Sequence, residues 1–198
     1  MSRTRSTSHR SPREYYTASS SEPLVVSLRP ANDHGAIRRA AAAYGWRAIA
    51  LSPWKITVRT DAASRAALRK ALAADIVIAT SPAAVGAART LAALRIRRGQ
   101  IFCAVGSATA MALRRAGIAQ VLSPERMDSE GLLALPALDA VRGRTVGVLT
   151  APGGRDLIAP TLRARGAAVR RADVYIRAPT ALPPPSLARL RAVDGPLL

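Results

Sequence analysis

Three short turns carry the residues best suited to holding a ligand: Thr80-Ser81-Pro82, Gly106-Ser107-Ala108-Thr109-Ala110 and Ala151-Pro152-Gly153-Gly154-Arg155. Each follows an apolar run and precedes a helical pattern, so each aims free backbone N–H groups and a helix N-terminus at one edge of the fold. That arrangement favours anions such as carboxylates or phosphates. The hydroxyls of Thr80, Ser81, Ser107 and Thr109 add donors, and each equally suits N-capping of its own helix. There is no GxxxxGK[ST] loop, and no GxGxxG with an acidic residue at the right distance, so a nucleotide cofactor is not expected. Cys103 is the only cysteine, and His9 and His34 are the only histidines. No cluster at metal-ligand spacing results, and neither a metal nor any other cofactor is expected. Cys103, in the apolar run Ile101 to Val105, reads as a small buried hydrophobe. His34 falls in the first turn of a helix with no triad partner nearby in sequence, and is assigned no chemistry.

The elements that must position these turns alternate. Leu24 to Leu28 reads as an apolar strand, Asn32-Asp33 as the cap of a helix ending at Gly45, and Trp46 to Leu51 as a second strand. Lys55 to Arg59 alternates polar and apolar, like a strand with one wet face, and precedes a helix from about Asp61 to Ala74. Asp75 to Ala79 is a continuous apolar strand, and Ser81-Pro82 supplies an N-cap with proline at the first helical position. The unit recurs with a strand at 100–105 and a helix at 108–116 closed by Gly117. A short strand at 120–122 follows, then a helix opened by Asp128-Ser129-Glu130, a strand at 145–149 and a helix at 156–165. The last clear strand is Ala168 to Arg177. A helix around 186–192, after the run Pro183-Pro184-Pro185, completes the pattern and ends at Gly195. Strands alternating with helices of this length imply an α/β fold with parallel sheets, and ligands at the carboxyl ends of the strands.

Composition bounds the function classes. The chain has 198 residues, 49% of them hydrophobic but only 4% aromatic, which suits helices laid on a small sheet. The formal net charge of +18 suggests a polyanion partner at first sight. However, Lys55 and Lys70 are the only lysines, all other positive charge is arginine, and it is spread along the whole length. A coding bias explains that skew, and no nucleic-acid partner is expected. No apolar stretch reaches the ~20 residues that span a bilayer, and the N-terminus lacks a secretory h-region, so a cytoplasmic protein without membrane association is expected. Residues 1–22 hold almost nothing to bury and are expected to form a disordered tail.

The order of the turns carries a family resemblance. Leu28-Arg29-Pro30, Ala79-Thr80-Ser81-Pro82-Ala83-Ala84-Val85, Val105-Gly106-Ser107-Ala108-Thr109-Ala110, Gly117-Ile118 and Asp128-Ser129-Glu130-Gly131-Leu132-Leu133 come first. Gly153-Gly154-Arg155, Arg165-Gly166-Ala167 and Val174-Tyr175-Ile176-Arg177 follow. Read together, from about Leu24 to Arg177, they resemble the uroporphyrinogen-III synthase family. The resemblance implies two α/β domains joined by a two-stranded ladder, here Lys55 to Arg59 with Asp173 to Arg177. Residues 57–177 would form a second, inserted domain, and residues 23–56 with 178–198 a first, discontinuous domain. In the family's pattern that first domain continues with further strands and helices, so it is expected to be incomplete at the C-terminus here.

The same resemblance implies the chemistry. The substrate would be hydroxymethylbilane, a linear tetrapyrrole with acetate and propionate groups on every ring. The product would be uroporphyrinogen III, formed by loss of water and inversion of ring D, in heme biosynthesis. Such a hydro-lyase needs no strong nucleophile, because a pyrrole nitrogen lone pair can expel the terminal hydroxyl. It works chiefly by positioning. Tyr175 matches the family's cleft tyrosine and is the candidate catalytic group. As the neighbour of Val174 and Ile176 in a period-2 strand, it is expected to point away from their core. Arg29, Thr80, Ser81, Gly106, Ser107, Thr109, Gly153, Gly154 and Arg155 are the candidate substrate-binding residues. Lys55 and Arg177 could also neutralise carboxylates. A monomer is expected. The alternatives are an inactive truncated member of the family and, from another class, a basic nucleic-acid-binding α/β protein.

Overall fold

The run Ile76-Val77-Ile78-Ala79 is buried at every position, which suits a parallel strand covered by helices on both faces. In a computed structural model describing residues 23–153 and 156–193, it is β4 (Ile76–Ala79). The expected tail at 1–22 and the helix-ending Gly195 lie outside the described residues. By its internal contacts the chain divides into two units. One comprises the chain up to Lys55 and from Pro179 onward, and the other runs from Ile56 to Ala178.

The larger unit holds β4, β5 (Ile101–Ala104), β6 (Thr145–Thr150) and β7 (Ala168–Asp173), all parallel, in the order β5-β4-β6-β7. The short strand expected at 120–122 is reduced to a single parallel bridge from Leu122 to Cys103 at the β5 edge. One face of the sheet is covered by α2 (Ala62–Leu72), α3 (Pro82–Leu91) and α4 (Ser107–Arg115), whose Leu68, Val85 and Leu113 pack with Val77, Phe102 and Leu149. The other face is covered by α5 (Ser129–Leu133), a 3₁₀ turn at Pro136–Leu138 and α6 (Ile158–Ala164). Their Leu132, Leu138 and Leu162 pack with Ile76, Ile78 and Val148. Cys103 is fully buried on that second face, and burial pushes its thiol up to about 12. It is therefore a packing residue with no thiolate character near neutral pH.

Two devices fix the sheet at its amino edge. The Asp75 carboxylate accepts both the backbone N–H and the hydroxyl of Thr145 at 2.8 Å, so β4 and β6 are joined before their first ladder bond. The Thr145 backbone bond, with its hydroxyl, holds the Asp75 carboxyl below the usual aspartate value. On the face above, α2 passes so close to β6 that a Cβ at Gly147 would lie 2.0 Å from the Ala71 carbonyl oxygen. Only glycine permits that approach.

In the smaller unit, β1 (Leu24–Ser27) pairs in parallel with β2 (Arg47–Ala50), with α1 (Gly35–Ala43) as the crossover. Leu24, Ile49 and Leu51 form its core with Leu187 and Leu190 of α7 (Pro184–Arg191). The cap expected at Asn32-Asp33 is not formed. Asn32 takes a left-handed turn at φ 69, Asp33 pairs with Arg29, and His34 holds the N-cap position with no side-chain cap bond. His34 is buried instead as a strut, with Nδ1 2.8 Å from Ser27 Oγ and Nε2 2.6 Å from Ser52 Oγ. It ties the carboxyl ends of β1 and β2 together.

The boundary between the units falls within β3 (Trp54–Val58) and β8 (Tyr175–Pro179), which pair with each other as a two-stranded antiparallel ladder. Gly147→Ala is expected to lower stability by about 3 kcal/mol, because the clash is with backbone. Gly86→Ala on α3, where a Cβ meets nothing within 4 Å, should be neutral or stabilising by up to about 1 kcal/mol. Urea denaturation midpoints check the pair, and an unshifted midpoint for Gly147→Ala would contradict the close approach of α2.

Candidate functional site

The ladder register decides which residues meet. Ala79 pairs with Ala104 on one side and with Leu149 on the other, so Thr80 and Val105, one step beyond β4 and β5, emerge beside Thr150, the last residue of β6. The Thr80 N–H donates to the Leu149 carbonyl at 3.1 Å and the Val105 N–H to the Ala79 carbonyl at 3.2 Å, so the sheet holds one step beyond the strands. The Thr80 and Thr150 hydroxyls lie 3.0 Å apart. Ser81 then caps α3, its Oγ accepting the Ala84 N–H at 3.1 Å, with Pro82 in the first turn. The sequence pattern of Ser followed by Pro implies that start, and the structure has it.

These residues open on a cavity of about 280 Å³ lined by Thr80, Ser81, Met127, Thr150, Tyr175 and Arg177, with Val105, Asp128, Ser129, Ala151 and Ile158 completing the wall. Tyr175 reaches it differently from the expectation. Tyr175 does not point away from the core: it is 2% exposed and packed in the same cluster as Val174, while Ile176 is 40% exposed. The reason is a change of partner. β7 pairs with β6 up to Asp173, the Val174 N–H still donates to Thr150, and the Val174 carbonyl already accepts from Arg59 beside β3. The period-2 rule holds within one strand, and here two strands meet at Val174. The phenol oxygen of Tyr175 sits 3.2 Å from Ser81 Oγ, and the Arg177 guanidinium carbon lies 5.9 Å from the Tyr175 ring centre.

A rim closes the side nearest β5. Asp128 caps α5 by accepting the Gly131 N–H at 2.7 Å and takes the Arg126 guanidinium at 2.5 Å. Met127, 61% exposed, lies across the turn after β5, where a Cβ at Gly106 would meet the Met127 Cβ at 3.0 Å. The Ser107 hydroxyl points to the Met127 sulfur at 3.2 Å, so it is turned to the rim. On the opposite side Arg171 of β7 braces the third turn. It donates to the Ala151 carbonyl at 3.2 Å and pairs with Asp156 at 3.2 Å and Asp173 at 3.0 Å.

Of the residues singled out from sequence, the structure brings Thr80, Ser81 and Tyr175 into one pocket, with Gly106 and Ser107 beside its rim. Gly153 occupies the turn after β6 with φ 76. Thr109 is 4% exposed within α4 and does not line the pocket. Arg29 belongs to the smaller unit, its guanidinium paired with Asp33 at 2.6 Å. Gly154 and Arg155 lie outside the described residues. Sequence reasoning passed over Thr150, which the strand-end rule could have found, and Met127, which no local signal marks. Among the described residues, no group of three or more His, Cys, Asp or Glu could hold a metal ion. No helix among them is long and apolar enough to cross a membrane.

Comparison with known proteins bears on the family and the fold. A family model for uroporphyrinogen-III synthase HemD matches residues 35–194. The uroporphyrinogen-III synthase of Escherichia coli K12 is 42% identical over 77 residues, which are 38% of this chain and 31% of that protein. That of Proteus mirabilis is 38% identical over 74 residues, 37% of each chain. A mutant uroporphyrinogen III synthase from the extreme thermophile Thermus thermophilus is similar in fold, with TM-score 0.60 at 20% identity, over 85% of this chain and 66% of that one. The Helicobacter pylori 26695 uroporphyrinogen-III synthetase gives 0.53 at 16% identity, over 86% and 68%. The matched stretch thus spans about a third of the curated relatives' length, and at these identities the structural likeness speaks for the fold alone.

The rim rests on one carboxylate. Asp128→Ala, which removes the cap of α5, is expected to lower stability by about 1 kcal/mol, and Asp128→Asn to lower it less. Denaturant midpoints measure both, and equal midpoints for Asp128→Ala and the parent would contradict the cap.

Proposed function

Because the chain belongs to the uroporphyrinogen-III synthase family, we propose that it converts hydroxymethylbilane to uroporphyrinogen III, with loss of water and inversion of ring D. The observation that carries this reading is a buried tyrosine that lines a hydroxyl-bearing pocket at the carboxyl ends of parallel strands, its phenol oxygen 3.2 Å from Ser81 Oγ. At about 280 Å³ the pocket lies just below the ~300–1,000 Å³ range of ligand sites, so it receives the reacting end of the bilane and not the whole chain.

The chemistry suits the groups present. The pyrrole lone pair expels the terminal hydroxyl as Tyr175 protonates it, and the phenol recovers a proton when the new carbon–carbon bond releases one. Closure without inversion competes in solution, so the protein must hold the flexible chain in the conformation that leads to the spiro intermediate. Substrate acetate and propionate groups would meet the amides and hydroxyls of Thr80, Gly106, Ser107 and the turn at Gly153. Arg177, which lines the pocket, would supply charge, and Arg29 and Arg155 are proposed as carboxylate partners from the family resemblance alone. Thr109 is left out of this set because of its burial in α4.

In this reading residues 57–177 form the inserted domain that carries the pocket, and residues 23–56 with 178–198 the first domain. The protein acts as a cytoplasmic, monomeric hydro-lyase of heme biosynthesis, without cofactor, nucleic-acid or membrane partner. The test is to supply freshly generated hydroxymethylbilane and resolve the type I and type III products. Type III product is expected from the protein. Tyr175→Phe should lower kcat by about a hundredfold. Type I product alone, at the rate of the enzyme-free control, would overturn the proposal in favour of an inactive family member.

A further inference from the structure

We propose that Ser81 is a positioning residue for Tyr175, donating its hydroxyl proton to the phenol oxygen so that the phenol's own proton is free to face the pocket. The inference rests on the reading of Tyr175 as the proton donor. Three observations on the same atoms support it. Ser81 Oγ already accepts the Ala84 N–H at 3.1 Å, and it lies 3.2 Å from Tyr175 Oη. Tyr175, at 2% exposure, is fixed by packing, so its oxygen cannot leave that contact without disturbing the core. Ser81 is half-buried and itself lines the pocket, so the pair stands at the wall where the reacting end would lie.

Direction follows from proton counting. Tyr175 has one hydroxyl proton. If it pointed at Ser81, none would be left for the departing hydroxyl. With Ser81 as donor, each group has a partner. The Ala84 N–H donates to Ser81, Ser81 donates to Tyr175, and Tyr175 donates to the substrate oxygen. Accepting the amide bond makes the serine a better donor, since bonds in a chain polarise one another.

The same chain matters more as the reaction proceeds. When the carbon–oxygen bond breaks, its electron pair goes to the oxygen, which takes the Tyr175 proton and leaves as water. The positive charge stays on the pyrrole unit and a negative charge appears on the phenol oxygen. Ser81 then hydrogen-bonds that anion, with the N-terminus of the ten-residue α3 behind it. The proton shed from the ring carbon on closure restores the phenol. Ser81 on this account holds Tyr175, and not a substrate carboxylate.

Three variants separate the roles. Ser81→Thr keeps both the cap and the hydroxyl, Ser81→Asp keeps the cap but has no proton to give, and Ser81→Ala loses both. Ser81→Thr is expected to retain kcat. Ser81→Ala should lose kcat by about tenfold with KM nearly unchanged, and Ser81→Asp should lose kcat likewise while keeping the parent's denaturation midpoint. Combining Ser81→Asp with Tyr175→Phe should cost no more than Tyr175→Phe alone. Retained kcat in Ser81→Asp, or a raised KM with kcat kept, would overturn the proposal in favour of capping or of substrate contact.

A spectroscopic readout needs no turnover, so it distinguishes this failure from failure of the synthase reading itself. The ultraviolet resonance Raman Fermi doublet of Tyr175, isolated by subtracting the Tyr175→Phe spectrum, should show a phenol that accepts a hydrogen bond. It should lose that signature in Ser81→Asp. A donor-type doublet in the parent protein would overturn the proposal whatever the assay gives.

Discussion

The parallel register of β4 with its two neighbours is the constraint on which the rest depends. Because Ala79 pairs with both Ala104 and Leu149, Thr80, Val105 and Thr150 stand side by side at the strand ends and line a single pocket. One more pairing, Thr150 with Asp173, brings the chain to Val174 and then Tyr175 at the same edge. A slip of one residue in any of these ladders would exchange the two faces of a strand and carry its pocket residue out of line. The joint between Asp75 and Thr145 and the contact of α2 with Gly147 therefore serve the site from the opposite edge, by preventing such slips.

Energetically the arrangement uses a fully buried sheet as a rigid base and leaves adaptation to its rim. Phe102, Ile76, Ile78 and Leu149 lie in packed layers on the two faces, where changes in volume are costly. The pocket's polar atoms stand just outside that base and are already joined in pairs: Thr80 with Thr150, and Ser81 with Tyr175. Such pairing keeps hydroxyls oriented before a ligand arrives. Met127, long and exposed, is the adaptable element.

The α/β architecture was legible in sequence, because its evidence is local. Continuous apolar runs at Ile76 to Ala79 and Thr145 to Leu149 mark buried strands, and Ser81-Pro82 marks a helix start; the structure has all three. Alternation marked Lys55 to Arg59 as a strand with one wet face, and the pairing of β3 with β8 was implied by the family resemblance. What escaped was non-local. The inward turn of Tyr175 depends on a change of strand partner at Val174, which no window of residues announces. His34, unremarkable in a helical first turn, is a strut only because Ser27 and Ser52 are brought to either side of it. The failed cap at Asn32-Asp33 has a similar cause, since Asp33 is drawn to Arg29 instead of to the helix.

The central claim, that one edge of the sheet presents the ligand-holding surface of the larger unit, is tested most directly by titrating the isotopically labelled protein with an octacarboxylate porphyrin and following backbone amide resonances. The account predicts shifts gathered at Thr80 to Ala84, Val105 to Ser107, Met127 to Ser129, Thr150 to Ala151 and Tyr175 to Arg177. Shifts gathered at the opposite edge, around Ala73 to Asp75 and Arg97 to Gln100, with the first set unmoved, would contradict it.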